Sequence, residues 1–347
     1  MRYFILLPVV LLFYNCSFRP TTKHDVFKEK AEFPKEERIH DRNSVEWWYL
    51  TGHLKDEKSQ KEYGVEYVFF HFNPLGIKDY LMGNLAICNP TDSSFHYDHI
   101  YLAQKRLDTT GPLSLSIKHK IRDWSFKGEE GNYAVQANMK KEQYGIKLKT
   151  KPIKSVAMYR NTGYEEYGAK GKAGYYSYPR LETKGQLQIN GEWVDVEGTL
   201  WYDRQWNCGS VTETKVGWDW ISIQLDNGED LMAYRVFKKN KDEFIYSGAL
   251  IGKDGSVQHF DGDKIKLTPL DTWKSPNSKK EYPVKWKVEI PEKNYSMVVS
   301  AVLPEQELTL AFLKVWKFRY WEGMCRVQAN LNGVETKGKA YLEMTNH

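Results

Sequence analysis

From Arg38 onward, short runs of β-branched and aromatic residues recur between turn dipeptides, while long stretches of helical apolar periodicity are scarce. Tyr63-Gly-Val-Glu-Tyr-Val-Phe-Phe-His-Phe72, Trp218-Asp-Trp-Ile-Ser-Ile-Gln-Leu225 and Lys314-Val-Trp-Lys-Phe-Arg-Tyr-Trp321 are such runs. Several carry bulky side chains on both faces. That suits strands whose inner face lines a cavity and whose outer face meets another layer. Asn190-Gly191, Asn227-Gly228, Asp254-Gly255 and Asn332-Gly333 each lie between such runs, and their tolerance of positive φ predicts two-residue hairpin turns. Successive strands joined by short turns make an antiparallel meander, and such a sheet loses its exposed edges by closing into a barrel.

The pattern also repeats. Trp47, Tyr49 and Leu54 match Trp218, Trp220 and Leu225 at a common offset of 171, and Tyr67 and Phe70 match Tyr234 and Phe237 at 167. The offset is about half of the chain beyond its first residues, as a duplicated barrel would give.

Composition fits two domains of this kind. The 347 residues suffice for two ordinary cores, and 12 Trp, 23 Tyr and 15 Phe favour strands and apolar cavities over small helical bundles. The net charge of +5 comes from interspersed basic and acidic residues, so no stripe for a nucleic-acid backbone is evident and no nucleic-acid partner is expected. The first residues read differently from the rest. Arg2 precedes an apolar run that ends just before Cys16, too short for a bilayer span of roughly 20 residues and typical of a cleaved export signal over residues 1–15. Phe13-Tyr14-Asn15-Cys16 resembles a loose lipobox, which implies a diacylglyceryl anchor on Cys16, export, and a membrane-tethered lipoprotein on the periplasmic side or cell surface. Tyr14 and Asn15 are larger than usual there, and an ordinary secretory signal stays open. Residues 16–37, rich in Lys, Glu, Thr and Pro, read as a tether. Cys88, Cys208 and Cys325 are widely spaced, form no zinc pattern or disulfide framework, and read as buried small apolar residues.

Six segments then carry a resemblance in order along the chain. They are Ser44-Val-Glu-Trp-Trp-Tyr-Leu-Thr-Gly-His-Leu54, Tyr175-Tyr-Ser-Tyr-Pro-Arg-Leu181, Gly198-Thr-Leu-Trp-Tyr-Asp-Arg-Gln-Trp206, Gly217-Trp-Asp-Trp220, Tyr320-Trp-Glu-Gly323 and Gly338-Lys-Ala-Tyr-Leu-Glu-Met-Thr345. Together they resemble the AttH and carotenoid-hydratase (CrtC-type) lipocalin-like family. The resemblance implies an all-β chain of two tandem lipocalin-like antiparallel β-barrels, residues 38–207 and 208–347. It further implies a secreted or lipid-anchored protein associated with an ABC-type export system. Gln205 departs from the Glu common in the family, and Asn346-His347 departs from the usual Gly-Tyr end.

Asp203 is the foremost chemical candidate. A carboxyl group among indole and phenol rings is desolvated, which raises its pKa toward that of a general acid, and in the hydratase branch such an acid would protonate a carbon–carbon double bond. The bland alternative is an ion pair with Arg204 or a set of backbone hydrogen bonds. Glu46, Trp47, Trp48, Tyr49, His53, Tyr176, Tyr202, Trp206, Trp218 and Trp220 are the candidate ligand-binding residues, with the tryptophans either flooring a cavity or closing the barrel ends. Glu46 and His53, seven apart on a strand of period two, face opposite sides unless a bulge at Gly52 intervenes. His96-Tyr-Asp-His99 reads as a solvated loop rather than a metal site. Phosphate loops, dinucleotide fingerprints and nucleophile elbows are not found in the sequence, so no cofactor or metal is expected. Two classes remain: a carrier of a hydrophobic small molecule or lipid, which the lipid anchor favours, and a hydratase, pericyclase or isomerase acting on a polyene or similar skeleton.

Overall fold

The computed structural model describes residues 29–40, 45–72, 79–104, 107, 111–166, 172–207, 216–238, 243–312, 316–345 and 347. The export signal, Cys16, Cys208 and Lys314 lie outside the described residues.

The chain is all-β. The first sheet contains β1 (Val45–Asp56), β2 (Glu62–Phe72), β3 (Asp79–Asn89), β4 (Ser94–Gln104), β5 (Ser114–His119), β6 (Arg122–Glu129), β7 (Asn132–Asn138), β8 (Gly145–Pro152), β9 (Ala157–Met158), β10 (Tyr164–Glu166), β11 (Lys172–Ile189) and β12 (Glu192–Trp206). The second contains β13 (Val216–Leu225), β14 (Asp230–Lys238), β15 (Phe244–Ile251), β16 (Val257–Asp261), β17 (Lys266–Lys274), β18 (Glu281–Ile290), β19 (Tyr295–Ala301), β20 (Glu307–Phe312), β21 (Trp316–Leu331) and β22 (Val334–Thr345). The spatial order is β4-β3-β2-β1-β12-β11-β8-β7-β6-β5 in one and β16-β15-β14-β13-β22-β21-β19-β18-β17 in the other. Each sheet thus pairs its first strand with its last, and its free edges are sequence neighbours. The first sheet curls into a nearly closed barrel: the Tyr67 hydroxyl on β2 reaches across the interior to the carbonyls of Ser125 and Gln136, 3.0 Å from each.

Strand alternation explains why both faces are bulky. On β1, Trp48, Leu50 and Leu54 point into the first barrel, whereas Tyr49 packs with Trp201, Trp220, Tyr234, Met324 and Tyr341 between the barrels. The second barrel has its own core around Trp286, Trp321 and Leu342. Ion pairs ring the junction: Asp230 accepts from Lys154 at 2.6 Å and from Arg180 at 2.8 Å, and Asp261 accepts from Arg160 at 2.6 Å.

The repeat is visible in register. Leu54 lies opposite Gly198 as Leu225 lies opposite Gly338, and Tyr49 lies opposite Asp203 as Trp220 lies opposite Glu343. Both glycines are required by packing, since a Cβ on Gly198 would sit 2.2 Å from the His53 carbonyl and one on Gly338 would sit 2.5 Å from that of Gln224. The matches expected on the following strand are out of step by one. Tyr49 pairs with Val68 but Trp220 pairs with Tyr234, so Tyr67 enters the first barrel while Tyr234 faces the junction.

Three local expectations change. Asn190-Gly191 and Asn332-Gly333 form two-residue turns with positive φ at both positions, but Asn227-Gly228 and Asp254-Gly255 belong to longer turns in which glycine alone supplies the positive φ. His96 and His99 stand within β4 rather than a loop; His96 pairs with Glu142 and His99 bonds the Ala311 carbonyl at 2.9 Å. Residues 29–37 are packed rather than free. Ala31 and Glu37 are buried, Phe33 meets Tyr176 edge-on at 4.6 Å, and the Trp48 indole donates to the Glu37 carbonyl at 2.8 Å. Apolar side chains and the two buried carboxyls of Glu36 and Glu37 bind this strap across the barrel, which its polar composition concealed.

Candidate functional site

A cleft lies between the barrels, with a closed part of only about 40 Å³ and about 470 Å³ when the space out to its open mouth is included. The first barrel contributes Trp47, Tyr49, Tyr175, Asp203 and Gln205, and the second contributes Trp218, Trp220, Tyr234, Val236 and Glu343. These side chains belong to β1, β11 and β12 on one side and β13, β14 and β22 on the other, the strands at the centre of each sheet.

Asp203 is buried at the inner wall. Its Oδ1 accepts from the Trp201 indole at 2.6 Å and from the Ser177 hydroxyl; its Oδ2 accepts from the Tyr175 hydroxyl at 2.6 Å. The Trp220 indole in turn donates to Tyr175 at 2.8 Å, so one hydrogen-bond chain crosses between the barrels. Burial pushes Asp203 up to about 6, against the pull of these donors. Arg204 does not help it. That residue faces the other way, into the first barrel, and pairs with Glu46.

Glu343 stands half-buried on the opposite wall, enclosed by protein except where it lines the cleft. Burial lifts it to about 8; a hydrogen bond from Trp218 opposes the rise, and the charge of Asp203 adds to it. At neutral pH the cleft therefore holds a protonated acid beside an ionised one. Two titratable groups separated in this way by their surroundings are the arrangement from which acid and base roles arise.

Of the residues singled out in the sequence, Trp47, Tyr49, Trp218 and Trp220 meet Asp203 in this cleft. Trp48, Tyr176, Tyr202 and Trp206 do not, because parity along their strands turns them into the first barrel. There Tyr202 packs on Tyr133 at 4.7 Å and Trp206 stacks on His40 at 5.0 Å. Glu46 also faces that interior, where His71 bonds it at 2.7 Å and the His40 ring at 2.9 Å. Burial opposes its charge, but Arg204 and the two histidines outweigh burial and hold the carboxyl well below the usual range. His53 lies between the barrels and donates Nε2–H to the Ala340 carbonyl at 3.0 Å, its pKa driven down by burial to about 3. It is neutral and structural. Glu46 and His53 indeed occupy opposite faces of β1, despite the positive φ of 152° at Gly52.

Glu343, Tyr175 and Gln205 were not among the singled-out site residues. Glu343 had a signal: Gly198 and Gly338, Trp201 and Tyr341, and Asp203 and Glu343 are all 140 apart. Tyr175 was hidden beside Tyr176, since choosing between adjacent tyrosines requires the strand parity.

A family model described as AttH-like matches residues 26–347. No curated protein sequence matches the chain significantly. Among solved structures, a Nitrosomonas europaea protein provisionally named AttH is 25% identical with a TM-score of 0.78, the match covering 91% of this chain and 97% of that one. Kievitone hydratase from Nectria haematococca superposes with a TM-score of 0.72 at 16% identity, over 91% and 93% of the two chains. CghA, solved with Sch210972, gives 0.58 at 11% identity over 87% and 88%. The last two likenesses are of fold. With its paired barrels and a family match covering all but the first residues, the chain belongs to the AttH-like family.

Proposed function

We propose that the chain is an acid–base enzyme of the hydratase type, acting on a neutral, largely apolar, unsaturated small molecule held in the cleft between its barrels. The observation that carries this reading is the pair of desolvated carboxyls, Glu343 at about 8 and Asp203 at about 6, on facing aromatic walls. Glu343 donates its proton to a double-bond carbon. The faces of Trp47, Trp218 and Trp220 stabilise the resulting cation, water adds to it, and Asp203 accepts the proton that water releases. Sequence reasoning gave the acid role to Asp203; in this reading the better acid is Glu343, and Asp203 is its base. A hydratase is known on this fold, the one named for kievitone.

A second reading, a carrier of an apolar molecule, is favoured by the same aromatic lining, which binds without any need for proton transfer. Export, anchoring through Cys16 and association with an ABC-type export system go with that reading. The two separate cleanly. A panel of polyenes and prenylated phenols is incubated with the protein, binding is followed by tryptophan quenching, and product by a water-sized mass gain. As a hydratase it produces a gain that falls by roughly 10²-fold or more in Asp203→Asn and in Glu343→Gln with quenching retained. Quenching without any mass gain across the panel supports the carrier and refutes the enzyme.

A further inference from the structure

Beneath the cleft, the junction contains a second polar cluster that the proposed chemistry does not use directly. Tyr49, a cleft residue, donates its hydroxyl downward to Glu322 on β21. Glu322 lies opposite Glu343 on β22, so their side chains are neighbours on one face. From the first barrel, Glu66 accepts from the Asn84 amide at 3.1 Å, and that amide also reaches the Tyr320 hydroxyl of the second barrel at 2.6 Å. Thr51 stands opposite Glu66 on β1. Apart from Glu343, which is half-buried at the cleft, these groups are buried, yet Thr51 Oγ1, Asn84 Oδ1, Glu322 Oε2 and the Tyr341 hydroxyl have no hydrogen-bond partner. Buried polar atoms in such numbers call for an occupant, and four converging on one place suit water, which needs two to four polar partners.

We propose that Glu66, Glu322 and Glu343 form one proton-sharing site, completed by ordered water among the unpartnered atoms, which keeps the cleft acid protonated at rest. This rests on the hydratase reading for its role, but not for its existence. Among the described residues no lysine or arginine pairs with any of the three carboxyls. The other titratable groups facing them are Tyr49 on β1, Asp203 on β12, Tyr320 and Cys325 on β21 and Tyr341 on β22, none of them cationic. His53, farther along β1, is held neutral. Burial drives Glu66 and Glu322 well above the carboxylate range, and a charge on Glu343 drives both higher still. When Glu343 gives its proton to the substrate, Glu322 keeps its own and shares it across the strand pair with the carboxylate left behind, while ordered water among the unpartnered atoms meets the rest of the charge. The proton that the attacking water delivers to Asp203 returns across the cleft to Glu343, the more basic of the two. The site ends as it began.

Infrared difference titration of the ligand-free protein tests this without any substrate. The wild type should show protonated-carboxyl bands at neutral pH, one lost in Glu322→Gln and another in Glu66→Gln. In Glu343→Gln the remaining bands should disappear at lower pH than in the wild type, because the charge that opposed their ionisation is gone. A purely structural role would leave that midpoint unmoved. Circular dichroism checks that each variant folds, and Tyr49→Phe, which removes only one donor to Glu322, is a milder probe whose bands should shift to higher pH. A crystal structure should place water within hydrogen-bond distance of at least two of the four unpartnered atoms. The proposal is overturned if the carboxyls are ionised at neutral pH around a bound sodium or potassium ion, seen as absent bands and a melting point raised by KCl but not by choline chloride. Failure of hydratase activity alone would leave the bands in place, so the two readings fail separately.

Discussion

Replacing Asp203 by asparagine should change how stability depends on pH, by an amount that follows from its surroundings. In the unfolded chain this carboxyl titrates near its ordinary value of 3.8; in the folded protein burial holds it at about 6. The native state therefore binds the proton more tightly than the unfolded state. Below the lower value both states are protonated and nothing is lost. As pH rises toward 6, the unfolded chain releases the proton first, and the wild type loses stability at about 1.4 kcal/mol per pH unit, roughly 3 kcal/mol in all; above that the loss is constant. Glu343, at about 8, stays protonated throughout this window. The asparagine amide cannot titrate. It will have its own fixed offset, since its NH2 meets donors that the carboxylate satisfied at Tyr175 or Ser177 and Trp201, but an offset does not alter a slope. Urea unfolding followed by tryptophan fluorescence, at several values between about pH 4 and pH 7, gives both curves. Their difference should grow by about 3 kcal/mol across the window and then level off. Parallel curves would mean that Asp203 is not desolvated, and the assignment of base and acid in the cleft would fall with it.

Other perturbations probe the surroundings of the site. Arg204→Leu leaves only His40 and His71 to meet the buried charge of Glu46 and should destabilise the first barrel by up to about 3 kcal/mol, read as a lowered melting temperature; an unchanged melting point would show the pair to be incidental. Gly174→Ala would place a Cβ 1.9 Å from the Trp206 ring, and the shift needed should cost about 1–3 kcal/mol in urea unfolding, with no penalty expected if the indole is free to move aside. Cys16→Ala should abolish palmitate labelling and detergent partitioning of protein expressed in a bacterium; soluble, unlabelled wild type would remove the anchor from the picture.

What the sequence discloses about this molecule follows from the range of the interactions involved. Alternation and turn chemistry are local, and they suffice for the all-β architecture and for Asn190-Gly191 and Asn332-Gly333 as tight hairpins. Asp203 and four of the aromatic cleft residues could be named because acid and indole side chains in one short segment are unusual in any strand. The facing of adjacent residues was less accessible: Trp47 from Trp48, Tyr175 from Tyr176. Each pair differs by one step of a period-two strand, and that step is fixed only by pairing with distant strands. Glu343 was missed for another reason. Its neighbours in sequence carry no second acid, and its environment is assembled by residues remote in the chain: Glu322, Trp218 and Trp220 of its own barrel and Asp203 of the other. The strap is the reverse case, a polar segment whose few apolar residues and two buried glutamates outweigh its composition.

The equivalent positions of Asp203 and Glu343 in the two halves have a consequence for how such a site can work. Had the same face been presented by two identical subunits around a symmetry axis, both positions would have to carry the same residue in the same surroundings, and neither could be set as acid while the other served as base. Encoding the halves in one chain removes that constraint. Position 203 has Asp beneath three donors, whereas 343 has Glu beside a further carboxyl at 322, where the first half has Ser177. The covalent link between the barrels thus permits a polarity that an interface between copies could not hold, with a direction for the proton to travel.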